Sequence, residues 1–198
     1  MGMDKSLSDN SSLVIGKYNS TVVPFLSLIT SKYPLRSCTT FHTTAITKEP
    51  LNLNAIVENF LLSPEFEKLE GFHPTVTIKT NLDTALFNIS GSDAHLRKVV
   101  MNLVSNAAEA IEGSGNVIIS TMNRYIDRLI RGYDDVKVDE YAVLAVSDDG
   151  PGISPDDLER MFEPFYTKKV MGRSGTGLGL AVVWNVVQDL KGYLDVIS

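Results

Sequence analysis

A chain of 198 residues, 43% of them hydrophobic, holds enough apolar material for one globular domain of ordinary size and an extra segment. Its formal net charge of -6 excludes broad nucleic-acid or anionic-membrane binding, so any site for a phosphorylated ligand has to be local. The single cysteine, Cys38, excludes an intramolecular disulfide and, with no leader-peptide pattern in view, predicts a reducing, cytoplasmic setting.

Residues 1-50 are rich in Ser, Thr and Asn, carry Pro24, Pro34 and Pro50, and hold no sustained period of 3.6 or 2. They are expected to be a poorly organised N-terminal segment, a tail or the remnant of a preceding region, ahead of a domain over 51-198. The most apolar early run, Val22 to Ile29, is short and interrupted by Pro24 and Ser27, so it cannot cross a bilayer, and no membrane contact is expected. From Leu51 the pattern changes. Leu53, Ile56, Val57, Phe60 and Leu61 recur at helical spacing behind Asn52, a candidate N-cap, and Pro64 ends the run. Thr75 to Thr80 alternates as a half-buried strand, Ala85 to Ile89 reads as a shorter one, and Gly91-Ser92-Asp93 breaks and caps.

The helix predicted over His95 to Ile111 sorts its side chains into two stripes. Leu96, Val100, Leu103, Ala107 and Ile111 form the core stripe, while His95, Asn102, Asn106 and Glu109 fall within about 60° of one another on a second one. Asparagine is a mediocre helix former, so a pair at i, i+4 in mid-helix suggests a task beyond solvation, for which Lys, Glu and Arg are the usual choice.

Val117 to Thr121 reads as a strand, Asn123 to Glu140 as a charged hairpin excursion, and Tyr141 to Val146 as a strand buried on both faces. That last strand delivers Asp148-Asp149-Gly150-Pro151-Gly152, an acid at a strand end followed by glycines. The carboxylate either meets a ligand that comes close to the backbone or closes a tight Asx turn. Ser154-Pro155-Asp156-Asp157 opens a short helix with an N-cap, an N1 proline and an acidic first turn. Residues Phe162 to Lys169 interleave aromatics with Lys168 and Lys169, and the stretch to Ser174 has little to pack, which predicts a mobile lid.

Gly175-Thr176-Gly177-Leu178-Gly179-Leu180 then leads into an apolar helical run, and Tyr193 to Ile197 begins a strand. Glycines at a helix start let the backbone approach a ligand while the free N–H groups offer partial positive charge, a chemistry suited to phosphate. No G-x-x-x-x-G-K-[ST] pattern is present, and the segment ahead of the glycines is not the strand a dinucleotide site requires.

Four separated segments together resemble one family. Asn102-Leu103-Val104-Ser105-Asn106-Ala107, Asp148-Asp149-Gly150-Pro151-Gly152, Phe162-Glu163-Pro164-Phe165 and Gly175-Thr176-Gly177-Leu178-Gly179 are similar to the N box, first glycine box, F box and second glycine box of bacterial sensor histidine kinase catalytic domains. That family shares its ATPase superfamily with gyrase-type topoisomerases, heat-shock chaperones and mismatch-repair proteins. The resemblance covers roughly Leu51 to Ser198. It implies an α+β fold, a two-layer α/β sandwich of the Bergerat type, in which a mixed, mainly antiparallel sheet carries helices on one face. ATP and Mg2+ are the implied cofactors. Asp148 would accept from the adenine amino group, with Gly150, Gly152 and Phe165 beside it, and Asn106 would be the magnesium ligand and, with Asn102, the catalytic pair. Gly175, Thr176, Gly177, Leu178, Gly179 and Leu180 would surround the phosphates, with charge added by Lys168 or Lys169.

The resemblance further implies transfer of the γ-phosphoryl group to a histidine on a separate dimerisation domain, with a response regulator downstream and no nucleic-acid partner. Two departures stand out. Glu109 occupies a position where many members carry a basic residue, and the chain lacks the helical hairpin with its phospho-accepting histidine, so it is expected not to phosphorylate itself. An ATP hydrolase or a serine kinase of the same superfamily is the alternative. Hydrolases generally place a glutamate base four residues before the magnesium asparagine, and here that position is Asn102.

Overall fold

The computed structural model describes residues 25–31, 49–127, 138–167, 176–190 and 192–197. Two short strands come first, β1 (Phe25–Ser31) and β2 (Glu49–Leu51). Helix α1 (Leu53–Leu61) starts where its cap predicts: Asn52 Oδ1 accepts from the N–H of Asn54 at 2.8 Å and of Ala55 at 3.4 Å, and Leu53, Ile56, Val57 and Phe60 are buried. Pro64 does more than end this helix, because it is the first residue of α2 (Pro64–Phe72), whose N-cap Ser63 accepts from Phe66 N–H. This second helix buries only Phe66 and Leu69, too sparse a stripe to show as a period.

Strand β3 (Val76–Leu82) follows, and then β4 (Ile89–Gly91), which pairs antiparallel with β2. The strand expected over Ala85 to Ile89 is therefore mostly absent. Asp83 Oδ1 takes Ala85 N–H at 2.9 Å, and Asn123 both accepts from Phe87 N–H and donates to the Ala85 carbonyl, so side chains satisfy the backbone groups a ladder would have used.

Helix α3 (Asp93–Ala110) buries Leu96, Val100, Leu103 and Ala107 as its period requires, and Val99, Val104 and Ala108 widen that face. It packs between α1 and α5 (Gly179–Asp189) and over β5 (Gly115–Ile126) and β6 (Asp139–Asp148). The charged excursion is shorter than expected: β5 and β6 stay paired antiparallel as far as Ile126↔Asp139, and 128–137 lie outside the described residues. Helix α4 (Pro155–Arg160) and strand β7 (Tyr193–Ile197) complete the order.

The sheet runs β3-β5-β6-β1-β7, with β3 parallel to β5 and every other pair antiparallel. The helices cover one face, which gives the two-layer α+β sandwich expected. Strand β6 is buried on both sides: Ala142, Leu144 and Val146 enter the main core against the helices, whereas Tyr141 and Val143 join Ile126 and Tyr193 in a second cluster. Each fully buried Val or Leu contributes about 1.5–3 kcal/mol. Strand β1 was not legible as a strand, yet it lies antiparallel between β6 and β7, from Phe25↔Ser147 to Ser31↔Tyr141 on one side. Those two neighbours run in the same direction, so one strand of opposite sense satisfies the backbone donors and acceptors of both. The rest of the segment 1–48 lies outside the described residues.

Candidate active site

Alternation along β6 puts Ala142, Leu144 and Val146 toward the helix layer, and Asp148 is the next residue in that series. Its carboxylate therefore ends up under the helices, 8% exposed, at the rim of a cavity of about 100 Å³. The walls are apolar: Leu103, Ala107 and Ala110 come from α3, Val146 from β6, Ile153 and Met161 from the two ends of the α4 region, and Leu180 and Val196 from α5 and β7. Among the described residues only Asn106 and Asp148 bring polar side chains into this lining, and Gly152 completes it.

Burial raises the Asp148 pKa from 3.8 to about 6, the Gly150 N–H opposes that shift by hydrogen bonding, and the neighbouring charge of Asp149 adds to it. Gly150 N–H donates to Asp148 Oδ1 at 2.8 Å, so the Asx turn expected as one reading of this segment is present and occupies one carboxylate oxygen. A side chain at Gly150 has no room, since its Cβ would stand 2.6 Å from Asp148 Oδ1 and 3.2 Å from Ala110.

The asparagine stripe sits beside this cavity. Asn106 lines it, and Asn102, one turn earlier, faces the start of α5, where a Cβ on Gly179 would be 3.3 Å from Asn102 Oδ1. Helix α5 has no side-chain cap, so the N–H groups of its first turn remain the anion-attracting end of the helix. Just ahead of it, Gly177 O accepts from Phe165 N–H at 2.9 Å, and both residues take positive φ, 65° and 68°. The Phe165 ring is 73% exposed, while Phe162 stacks on Trp184 at 5.3 Å and ties α4 to α5. Tyr166 donates to Asp157, and the Arg160 guanidinium lies 4.4 Å over its ring.

Asn106, Asp148, Gly152 and Leu180 thus share one cavity, Gly150 backs it, and Asn102, Gly177 and Gly179 lie toward its glycine-rich side. Thr176 and Leu178 are exposed. Lys168, Lys169 and Gly175, with the part of the predicted lid beyond Thr167, lie outside the described residues. The apolar walls were the part missed. Val146, two residues before Asp148 on the same strand face, could have been found by alternation, whereas Met161 and Val196 come from elements brought in from far along the chain.

Among the described residues no group of three or more His, Cys, Asp or Glu side chains could hold a metal ion. The donor set fits instead a hard cation that takes one amide oxygen, here Asn106, and completes its shell with water and phosphate oxygens. An apolar slot with one buried carboxylate suits a flat heterocycle bearing an amino group.

Residues 91–198 match the family model of the histidine kinase-, DNA gyrase B- and HSP90-like ATPases. The chain is 31% identical over 155 residues to sensor histidine kinase ZraS of Salmonella typhi, covering 77% of this chain and 29% of that protein. It is 33% identical over 154 residues to the sensory histidine kinase/phosphatase NtrB of Rhodobacter capsulatus, covering 76% of this chain and 40% of that one. Among solved structures, the nucleotide-free catalytic domain of histidine kinase ThkA aligns with a TM-score of 0.55 at 22% identity, over 76% of this chain and 93% of that one. A mycobacterial sensor histidine kinase, MprB, aligns at 0.52 and 21%, over 76% and 95%. The chain spans 13% to 40% of the length of the curated relatives compared. A family match over more than half its residues, joined to the fold of histidine kinase catalytic domains, shows that the chain belongs to the histidine kinase-, DNA gyrase B- and HSP90-like ATPase family and carries its ATP-binding domain.

Proposed function

We propose that this chain is the catalytic domain of a two-component sensor histidine kinase, moving the γ-phosphoryl group of magnesium ATP to a histidine on a separate dimerisation domain. The observation that carries this reading is the buried Asp148 carboxylate opening, together with Asn106, into an otherwise apolar cavity. One oxygen of Asp148 is committed to Gly150 N–H, and the other accepts from the adenine amino group. Asn106 would hold Mg2+, which neutralises charge on the phosphates. The first-turn N–H groups of α5 and the backbone of Gly177 and Gly179 orient the phosphates, with Lys168 or Lys169 adding positive charge. Asn102 positions rather than deprotonates, because an amide takes no proton from water, and this disfavours the ATP hydrolase reading.

The phosphorylated histidine makes the parent a phosphoprotein, and a response regulator is the next acceptor. Histidine kinase ThkA, which shares this fold at a TM-score of 0.50 and 19% identity, has been solved in complex with response regulator TrrA. No helix of the described residues is long and apolar enough to cross a membrane; the cytoplasmic placement rests on the single cysteine, Cys38. Calorimetric titration with ATP, with and without Mg2+, followed by transfer to a separately supplied histidine-bearing hairpin domain, tests the proposal. Acid-labile label on that domain is the expected result. Rapid release of inorganic phosphate with no labelled acceptor would establish the hydrolase instead.

A further inference from the structure

The reading of Asp148 as the adenine-binding acid leaves its neighbour without a task. Asp149 points away from the cavity, and its contacts are specific. The β5–β6 ladder ends at Val117↔Asp148, and beyond it Asn116 and Asp149 stand opposite one another. Asp149 N–H donates to the Asn116 carbonyl at 3.2 Å, while Asp149 Oδ2 accepts from Asn116 N–H at 2.7 Å and from Asn116 Nδ2 at 2.8 Å.

Three bonds between two residues continue the ladder by one step through a side chain. An exposed bond contributes little singly, but charge-assisted bonds that share one carboxylate also fix a direction. The Asn116 side of the clamp is itself held: Gly115 N–H donates to the Thr75 carbonyl at 3.4 Å, and Thr75 Oγ1 donates to the Gly113 carbonyl. The chain must therefore reverse at residue 149 in one way, which turns Gly150 N–H onto Asp148 Oδ1 and leaves the second oxygen for the cavity.

We infer that Asp149, acting through Asn116, is the positioning residue that aims the Asp148 carboxylate and so sets the preference for adenine over guanine nucleotides. The inference rests on the adenine-site reading given above. Guanine presents a carbonyl oxygen where adenine presents its amino group, so a well-aimed carboxylate attracts one base and repels the other. A carboxylate free to turn loses part of both effects.

The test compares ATP and GTP affinities, read by displacement of a fluorescent adenine nucleotide at pH 8, for the unchanged chain, Asp149→Ala, Asp149→Asn and Asn116→Ala. The alanine variants are expected to weaken ATP about tenfold, the scale of one net hydrogen bond, and to narrow the ATP/GTP ratio while melting close to the unchanged chain. Asp149→Asn retains an oxygen that can accept both Asn116 bonds and should keep ATP affinity within about twofold. It should also shift the acid loss of binding to lower pH, because a like charge beside Asp148 has gone. The proposal is overturned by an unchanged ATP/GTP ratio in Asp149→Ala, by ATP and GTP weakening in parallel, or by Asp149→Asn behaving like the alanine variant. Should Asp149→Ala fail to fold, Asn116→Ala decides: a narrowed ratio supports the clamp, and an unchanged ratio overturns it. If the unchanged chain binds neither nucleotide, the adenine site itself falls and this role falls with it.

Discussion

Phe165 and Gly177 hold each other in left-handed backbone conformations: the Phe165 N–H donates to the Gly177 carbonyl at 2.9 Å, with φ of 68° and 65°. A phenylalanine with positive φ carries strain of about 1 kcal/mol or more, so the surrounding structure has to over-determine it. Gly177 does so by close approach, because a Cβ there would stand 2.5 Å from the Phe165 carbonyl carbon. Gly177→Ala is accordingly expected to destabilise the domain by roughly 1–3 kcal/mol and to weaken ATP binding, since the latch sets the entry to α5. Thermal melting and nucleotide titration of this variant check both parts; an unchanged melting temperature and affinity would show the latch to be dispensable.

Asp148→Asn should abolish measurable ATP binding and yet stabilise the empty fold at high pH. The folded-state pKa, about 6, lies above the ordinary 3.8, so the folded protein binds this proton more tightly than the unfolded chain does. The stabilising contribution is present below the ordinary value and is lost as pH rises through about 6. The variant should therefore gain on the order of 2 kcal/mol over the parent at pH 8 and nothing near pH 3. Denaturant melts at the two pH values measure the difference. A variant less stable than the parent at pH 8 would contradict it.

Adenine binding should weaken in acid for the same reason. Protonation removes the charge on Asp148 that accepts from the amino group, so affinity is expected to fall roughly tenfold between pH 7 and pH 5. Adenosine, followed by chemical-shift titration, is the cleaner ligand because it has no phosphate that titrates in this window. A flat profile would mean that the carboxylate does not face the base.

Thr121, buried at the sheet centre, tests the support beneath the β3–β4 turn. Its Oγ1 donates to Asn54 Oδ1 at 2.6 Å and accepts from Asp83 N–H at 3.0 Å, while Asn54 Nδ2 donates to the Asp83 carbonyl at 2.7 Å. Thr121→Val keeps the shape, removes the donor to Asn54 Oδ1 and leaves Asp83 N–H with its longer bond to the Thr121 carbonyl at 3.3 Å, a cost of about 1–3 kcal/mol. Urea unfolding reads this directly, and a neutral result would show that water replaces the hydroxyl.

Incubation of the isolated chain with labelled ATP is expected to give no acid-labile label. His73 caps the end of α2, His42 lies outside the described residues, and His95 is eleven residues before Asn106, about 16 Å along α3, too far for in-line attack. Rapid stoichiometric labelling would overturn this and make His42 the leading acceptor.

Local chemistry carried much of this molecule into view. The caps at Asn52 and Ser154, the two stripes of α3 and the doubly buried apolar run that delivers Asp148 all follow from local patterns of helix and strand, which assign faces without knowledge of the partner. The asparagine pair and the glycine-rich helix start stood out for the same reason, but it was the resemblance of four separated segments to one family that joined them into a nucleotide site. Strand β1, the parallel pairing of β3 with β5, the cavity walls from Met161 and Val196, the Asp149–Asn116 clamp and the Phe165–Gly177 latch stayed hidden. Each of these joins segments remote in sequence, and no period encodes which distant backbone will supply the missing partner. Their geometry is set when the whole sheet and its helix layer close on one core, because only then do particular donors, acceptors and apolar surfaces compete for the same space.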